Sequence, residues 1–263
     1  MKMVAISLGT ECVKSPPCSF CYQAQSEPVK FEKYAFKAHN IITNLVDKLW
    51  RKEEVTFCFE YSGLNLSAIG DKSSWTWRSS DSPERGSLPH YTMTTMHFLI
   101  TPILAGYLKR WGIEAVALSY DREHVPDGQL PGYIKRVKIL QDEGIKVSCN
   151  YLFGLDKRLP PTELMRTVDQ LNILALKPTD WYTPEIGELL KEFITVSNSI
   201  VPTVTDNCLG VLLGNTDKCH RGEDFIHVMP DGTITDCCFK QMCSIYKENT
   251  DVVNLSASRS LLS

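Results

Sequence analysis

Cys12-Val13-Lys14-Ser15-Pro16-Pro17-Cys18-Ser19-Phe20-Cys21 places three thiols within ten residues, and its reading decides the fold. The stretch follows a short apolar run, Val4-Ala5-Ile6-Ser7-Leu8, closed by Gly9. An apolar run, a glycine and then a polar loop predict a strand that opens into a loop at the mouth of an α/β fold. Pro16 and Pro17 stiffen the approach to Cys18, and Phe20 sits inside the last C-x-x-C. Three converging thiolates leave one position open on a metal that wants four ligands, which marks catalytic rather than structural sites.

Outward from the loop, apolar runs alternate with three-four spaced segments. Residues 31–51 carry Phe31, Tyr34, Ala38, Ile41, Ile42, Leu45 and Leu49 at helical spacing. Val55–Glu60 predicts a second strand, ending in Tyr61-Ser62-Gly63. Residues 64–90 are rich in Ser, Asp, Arg, Gly and Pro around Trp75 and Trp77, which predicts a long loop or lid. Further strands are expected at Tyr91–Met96, Glu114–Ser119, Ile145–Tyr151 and Leu171–Leu176. Helices are expected from Pro102 to Trp111, over 131–143 up to Gly144, over 163–170 with Thr162 as cap, and from Thr183-Pro184-Glu185 to Asn198. Six strands alternating with helices make a parallel sheet. Right-handed crossovers curl such a sheet into an open barrel, three-quarters of a (β/α)8 barrel, although a doubly wound sheet has the same alternation. In either, chemistry gathers at the carboxyl ends of the strands, where the cysteine loop lies.

The loop resembles the cluster-binding loop of the radical S-adenosylmethionine (SAM) enzymes. In that family three cysteines hold a 4Fe-4S cluster and SAM chelates the remaining iron. The family spacing is C-x3-C-x2-C with an aromatic before the last cysteine. Phe20 and the C-x2-C half match, while five residues separate Cys12 from Cys18. The resemblance implies an α/β fold with a partial (β/α)6 TIM-like barrel over residues 1–199, with Cys12, Cys18 and Cys21 as cluster ligands. It implies SAM-binding roles for Phe20, for the turn at Glu60, Ser62 and Gly63, and for Ser119 of Ser119-Tyr120-Asp121. Arg122 and Asn150 are further SAM-binding candidates, and Asp121, His97 and Lys177 are weaker catalytic ones near predicted strand ends. Zinc or iron held by a non-catalytic scaffold, or a thiol redox protein using Cys18-Ser19-Phe20-Cys21, are the alternatives.

After Val201 the composition shifts. Cys208, Cys219, Cys237, Cys238 and Cys243 fall close together, around Phe225–Val228, Pro230-Asp231-Gly232 and Thr233–Asp236. Two alternating runs about Pro-Asp-Gly predict a β-hairpin. Cysteine, a glycine at 222, a hairpin and then cysteine is similar to the SPASM or shorter twitch extension of peptide-modifying radical SAM enzymes. That likeness marks 200–263 as a small cysteine-rich C-terminal extension. It implies a second Fe–S cluster on Cys208, Cys219, Cys237 and Cys243, with a zinc site or buried thiols as alternatives. Cys58 and Cys149 lie in strands and read as core.

Hydrophobic content of 43% supports a packed core. A formal net charge of −3 gives no phosphate-tracking surface, which disfavours nucleic acid. Ten unevenly clustered cysteines argue against a disulfide framework. The N-terminus does not read as a signal peptide and no apolar run reaches about 18 residues, so a cytoplasmic protein without a membrane partner is expected. If the resemblance holds, the partners are a flavodoxin or ferredoxin electron donor and a peptide or small-molecule substrate.

Overall fold

The computed structural model describes residues 2–7, 12, 14, 16–20, 55–60, 90–155, 159–177, 179–217, 219–220, 223–229 and 233–237. The expected helix over 31–51, most of the expected 64–90 loop, and Ser62, Gly63, Cys21 and Cys243 lie outside these residues. The fold is α/β with a mostly parallel sheet, as expected. The described chain forms two compact units, one of residues up to Met93 with 223–237, the other of residues 94–220.

In the first unit, β1 (Lys2–Ser7) and β2 (Val55–Glu60) pair in parallel, with Ser7 opposite Glu60 at their carboxyl ends. Val4 and Ile6 of β1 and Val55 and Phe57 of β2 are fully buried, which is why an apolar run forms an interior strand here. Fully burying one such side chain is worth about 1.5–3 kcal/mol. β3 (His90–Thr95) begins in this unit. Its Tyr91 ring stacks on Phe57 and Phe59.

The expected hairpin forms from β8 (Phe225–Val228) and β9 (Ile234–Thr235), which pair antiparallel. Its first strand also pairs in parallel with β1, from Met3 opposite Phe225 to Ile6 opposite Val228. The cysteine-rich extension therefore supplies a strand to the same sheet as the N-terminal strand, a pairing that no local pattern could announce.

In the second unit the strand order is β4-β5-β6-β7, all parallel. These are β4 (Ala115–Tyr120), β5 (Lys146–Phe153), β6 (Gln170–Ala175) and β7 (Thr203–Thr205). Between them run α1 (Pro102–Arg110), α2 (Leu130–Asp142), α3 (Thr162–Thr167) and α4 (Pro184–Asn198), and α5 (Asn207–Leu212) follows β7. Thr101 and Thr183 cap α1 and α4, accepting from the backbone N–H of Leu104 and Ile186. Gly144 ends the α2 segment at φ +72°, a left-handed conformation that favours glycine.

Two local expectations differ. The helix over 163–170 stops at Thr167, because Asp169 N already donates to Val147 O and Gln170 begins β6. Thr162 is the first helical residue and not the cap. Pro161 precedes it in extended conformation, and no side chain caps the helix. Sequence reading also passed over β7 and α5. Asp206 before Asn207-Cys208-Leu209 is the signal that could have found α5, since Asp206 Oδ1 accepts from Leu209 N at 2.7 Å.

The β4–β6 sheet has two unlike faces. Val116, Leu118, Val147, Cys149, Tyr151, Leu171 and Ile173 are buried. Tyr133 of α2 donates to Leu118 O on β4, and Phe193 of α4 meets Tyr151 edge-on. The opposite face is half-buried and small or polar at Ala117, Ser119, Ser148, Asn150, Gln170 and Asn172, and apolar at Leu152 and Leu174 toward the carboxyl ends. Among the described residues, no helix is long and apolar enough to cross a membrane.

Candidate functional site

The cysteine loop leaves the carboxyl end of β1. Cys12 is half-buried and Cys18 buried. The Lys14 backbone N–H donates to Cys12 Sγ at 3.4 Å. An N–H···S bond stabilises negative charge on sulfur, so this contact suits a thiolate ligand. Phe20 is half-buried on the same loop.

In the same unit, Glu60 ends β2 within a cluster that sequence reading did not foresee. Ser7 Oγ donates to Glu60 Oε2 at 2.7 Å. His227 Nε2 lies 2.9 Å from Ser7 Oγ and 3.1 Å from Glu60 Oε2. Register explains the meeting. Ser7 is opposite Glu60 and Ala5 is opposite His227, so all three side chains project from one face of three adjacent parallel strands. Ser7 commits its hydrogen to the carboxylate, so Nε2 carries the proton that reaches the two oxygens. The imidazole is fully buried, and its Nδ1 has no hydrogen-bond partner among the described residues. A nucleophilic triad would put carboxylate and hydroxyl on opposite ring nitrogens. Here both share one, so the cluster holds a carboxylate in place rather than activating a serine. Ser7 breaks an apolar run and His227 falls on an inward position of its alternating strand. Those are the only signals the sequence offered.

In the second unit, Ser119 and Asn150 are neighbours in register on the half-buried polar face. This brings together two of the residues expected to contact SAM. Asn150 is in turn opposite Asn172, and Asn172 Nδ2 donates to Asn150 Oδ1 at 2.8 Å. Gln170 Nε2 donates to Asn172 Oδ1 at 2.6 Å. Gln170 and Asn172 were missed, although two amides at a spacing of two in an otherwise apolar strand are a legible signal.

Asp121 is buried and spent on its own turn. Its Oδ1 accepts from Glu123 N and His124 N, and its Oδ2 lies 2.6 Å from His124 Nδ1. It shapes the connection after β4, while Arg122 beside it is exposed. His97 follows β3 and is buried against Tyr133. Burial, with the nearby His124 and Arg136 charges adding to it, lowers its pKa to about 4. His97 is therefore neutral at physiological pH. Lys177 is also buried, and its Nζ donates to Ala175 O and to Asp206 Oδ2, 3.2 Å away. Asp206 also accepts from Ala175 N, so this pair ties the end of β6 to the start of α5.

Cys208 on α5 is buried and Cys219 half-buried, both in the second unit, and Cys237 is half-buried in the first. Among the described residues, no three His, Cys, Asp or Glu side chains are grouped closely enough to hold a metal ion. Cys149 is buried beside the Tyr133 hydroxyl, and desolvation pushes its pKa up to about 12, which marks core rather than reactive thiol.

No family model and no curated relative matches the chain. Among solved structures, it is similar to HydG, a maturase of the FeFe-hydrogenase, with TM-score 0.52 and 14% identity. That match covers 77% of this chain and 50% of HydG, so the chain spans half the length of that protein. It is also similar to anSMEcpe with bound AdoMet and Cp18Cys peptide, with TM-score 0.57 and 13% identity over 91% of this chain and 75% of the other. Both are radical SAM enzymes. At such identities the likeness is one of fold.

Proposed function

We propose that this chain is a radical SAM enzyme. The observation that carries the reading is a loop of three closely spaced cysteines following the first parallel strand, in a chain that shares its fold with two enzymes of that kind. The donor set fits. Thiols are the usual ligands of Fe–S clusters, and the Lys14 N–H already supports one sulfur. Cys12, Cys18 and Cys21 would hold a 4Fe-4S cluster. When bound, that cluster and SAM supply one electron and a sulfonium whose cleavage gives a 5′-deoxyadenosyl radical for hydrogen abstraction from an unactivated carbon.

The chain's own residues do the rest. Ser7 and His227 fix the Glu60 carboxylate, which is suited to a ligand ammonium through a charge-assisted hydrogen bond. Ser62, Gly63 and Phe20 belong to the same proposed set. Ser119 and Asn150 offer a hydroxyl and an amide to uncharged oxygens of SAM, with Arg122 available to a carboxylate. Asp121, His97 and Lys177 serve the fold through the contacts described above. The substrate is a peptide or a small metabolite, and a flavodoxin or ferredoxin supplies the electron. Cys208, Cys219, Cys237 and Cys243 are proposed for a second Fe–S cluster.

Anaerobic reconstitution with iron, sulfide, SAM and dithionite tests this. The expected result is about four iron per chain with matching acid-labile sulfide, or about eight with a second cluster, and release of 5′-deoxyadenosine. One tightly held zinc and no deoxyadenosine would instead identify a zinc scaffold.

A further inference from the structure

The polar face of β4–β6 has a directionality that its residue types alone do not reveal. Gln170, Asn172 and Asn150 form a chain of primary amides, each donating an N–H to the carbonyl oxygen of the next. An amide has one oxygen and one NH2 group, so occupying the oxygen decides where the NH2 points. Asn172 Nδ2 occupies Asn150 Oδ1, which leaves Asn150 with its NH2 turned away from β6. Ser119 sits beside it in register, and the positions that flank the pair on this face, Ala117, Ser148, Gln170 and Asn172, are uncharged.

We propose that Gln170 and Asn172 are positioning residues that hold Asn150 as a hydrogen-bond donor, so that this face selects an uncharged oxygen acceptor of the bound ligand. Naming that ligand as SAM rests on the function proposed above. The orientation of the amides does not. The relay belongs to β6, a strand to which the cysteine-loop resemblance assigned no site residue. Its elements are rigid, since both asparagines lie within paired strands rather than on loops. A ligand acceptor meeting the wrong end of an amide faces an oxygen instead of an N–H, which loses one bond and adds repulsion.

Three variants separate relay from scaffold. Asn172→Asp is nearly isosteric and still accepts from Gln170, but it cannot donate to Asn150. It forces the Asn150 NH2 toward β6 and its oxygen toward the ligand. Asn172→Ala leaves Asn150 able to adopt either orientation. Gln170→Met removes the outer donor without adding a competing acceptor. With the reconstituted protein, Asn172→Asp is expected to weaken SAM binding about tenfold, more than Asn172→Ala, with KM for SAM raised and kcat at saturation retained. Gln170→Met should weaken it about twofold. Thermal stability should follow a different order, with Asn172→Ala the least stable because it leaves a gap. Affinities that merely track stability, or an unchanged affinity in Asn172→Asp, would overturn the proposal. A second readout needs no cofactor. In 15N-asparagine spectra, the Asn172 NH2 should show one slowly exchanging proton. In Asn172→Asp that protection should pass to the Asn150 NH2. Wild-type amides that exchange as fast as exposed ones, or protection on Asn150 in the wild type, would refute the orientation. Failure of the wild type to bind SAM would sink the enzyme assignment, and these spectra would still decide the relay.

Discussion

Ser7, Glu60 and His227 in the first unit and Ser119, Asn150, Asn172 and Gln170 in the second are both polar clusters on parallel strands. They are built on opposite principles. The first joins a buried imidazole to a carboxylate, drawing on strands more than 160 residues apart in sequence. The second uses only uncharged groups on a half-buried face, from strands adjacent in both sequence and register. A charged group under cover must be fully paired or it costs stability, whereas neutral amides near solvent can exchange one partner for water. The first cluster therefore holds a charge in a fixed place. The second sets which end of an amide a ligand meets.

The most drastic way to break the comparison is to remove the thiols. Replacing Cys12, Cys18 and Cys21 with alanine should abolish iron loading at the loop and deoxyadenosine release, while the asparagine spectra of the second unit stay as in the wild type. Retention of full iron and SAM cleavage by that variant would show the loop is not the site. Next in size, His227→Ala empties a buried position and strips the carboxylate and hydroxyl of a shared donor. It should cost about 3 kcal/mol in urea unfolding. Asn172→Ala, on the half-buried face, should cost about 1 kcal/mol. Equal costs would erase the contrast between the two clusters.

Acid should act through the second unit as well. His97 has an ordinary value of 6.5 and a folded value near 4, so between them the unfolded chain binds more protons. Its contribution is complete above pH 6.5 and is lost as the pH falls toward 4. Unfolding midpoints measured across that window should slope downward with acid, and His97→Gln should flatten the slope. The smallest effect concerns Cys149. With a pKa near 12, only about one thiol in ten thousand is ionised at pH 8. Mass spectrometry after brief iodoacetamide treatment of the folded protein should find Cys149 unmodified, and rapid alkylation would contradict its burial beside Tyr133.

Much of the α/β order was legible because each strand of the series is a short apolar run whose period or flanks set it apart. Val55–Glu60 was located to the residue, and the Thr183-Pro184 start of α4 was plain from its cap. Short elements were harder. β7 has three residues and α5 six, too few for a period to show. Of the proposed site, Ser119 and Asn150 were named from the sequence, and the sheet makes them neighbours in register. The roles of Asp121 and Lys177 were not. Their nearness to strand ends suggested chemistry, but Asp121 turns back on the N–H groups of 123 and 124, and Lys177 meets Asp206, which lies 29 residues on.

By itself the sequence determined the alternation of strands and helices, the close spacing of the three loop cysteines, and the hairpin after residue 224. Each of these is encoded in residues a few positions apart, where period, turn chemistry and ligand spacing act. Only the tertiary structure decided that β8 lies beside β1, that His227 thereby reaches Glu60, and that Asn172 faces Asn150. Parallel pairing joins residues distant along the chain, and its register, fixed by which side chains must be buried, cannot be read from any one strand.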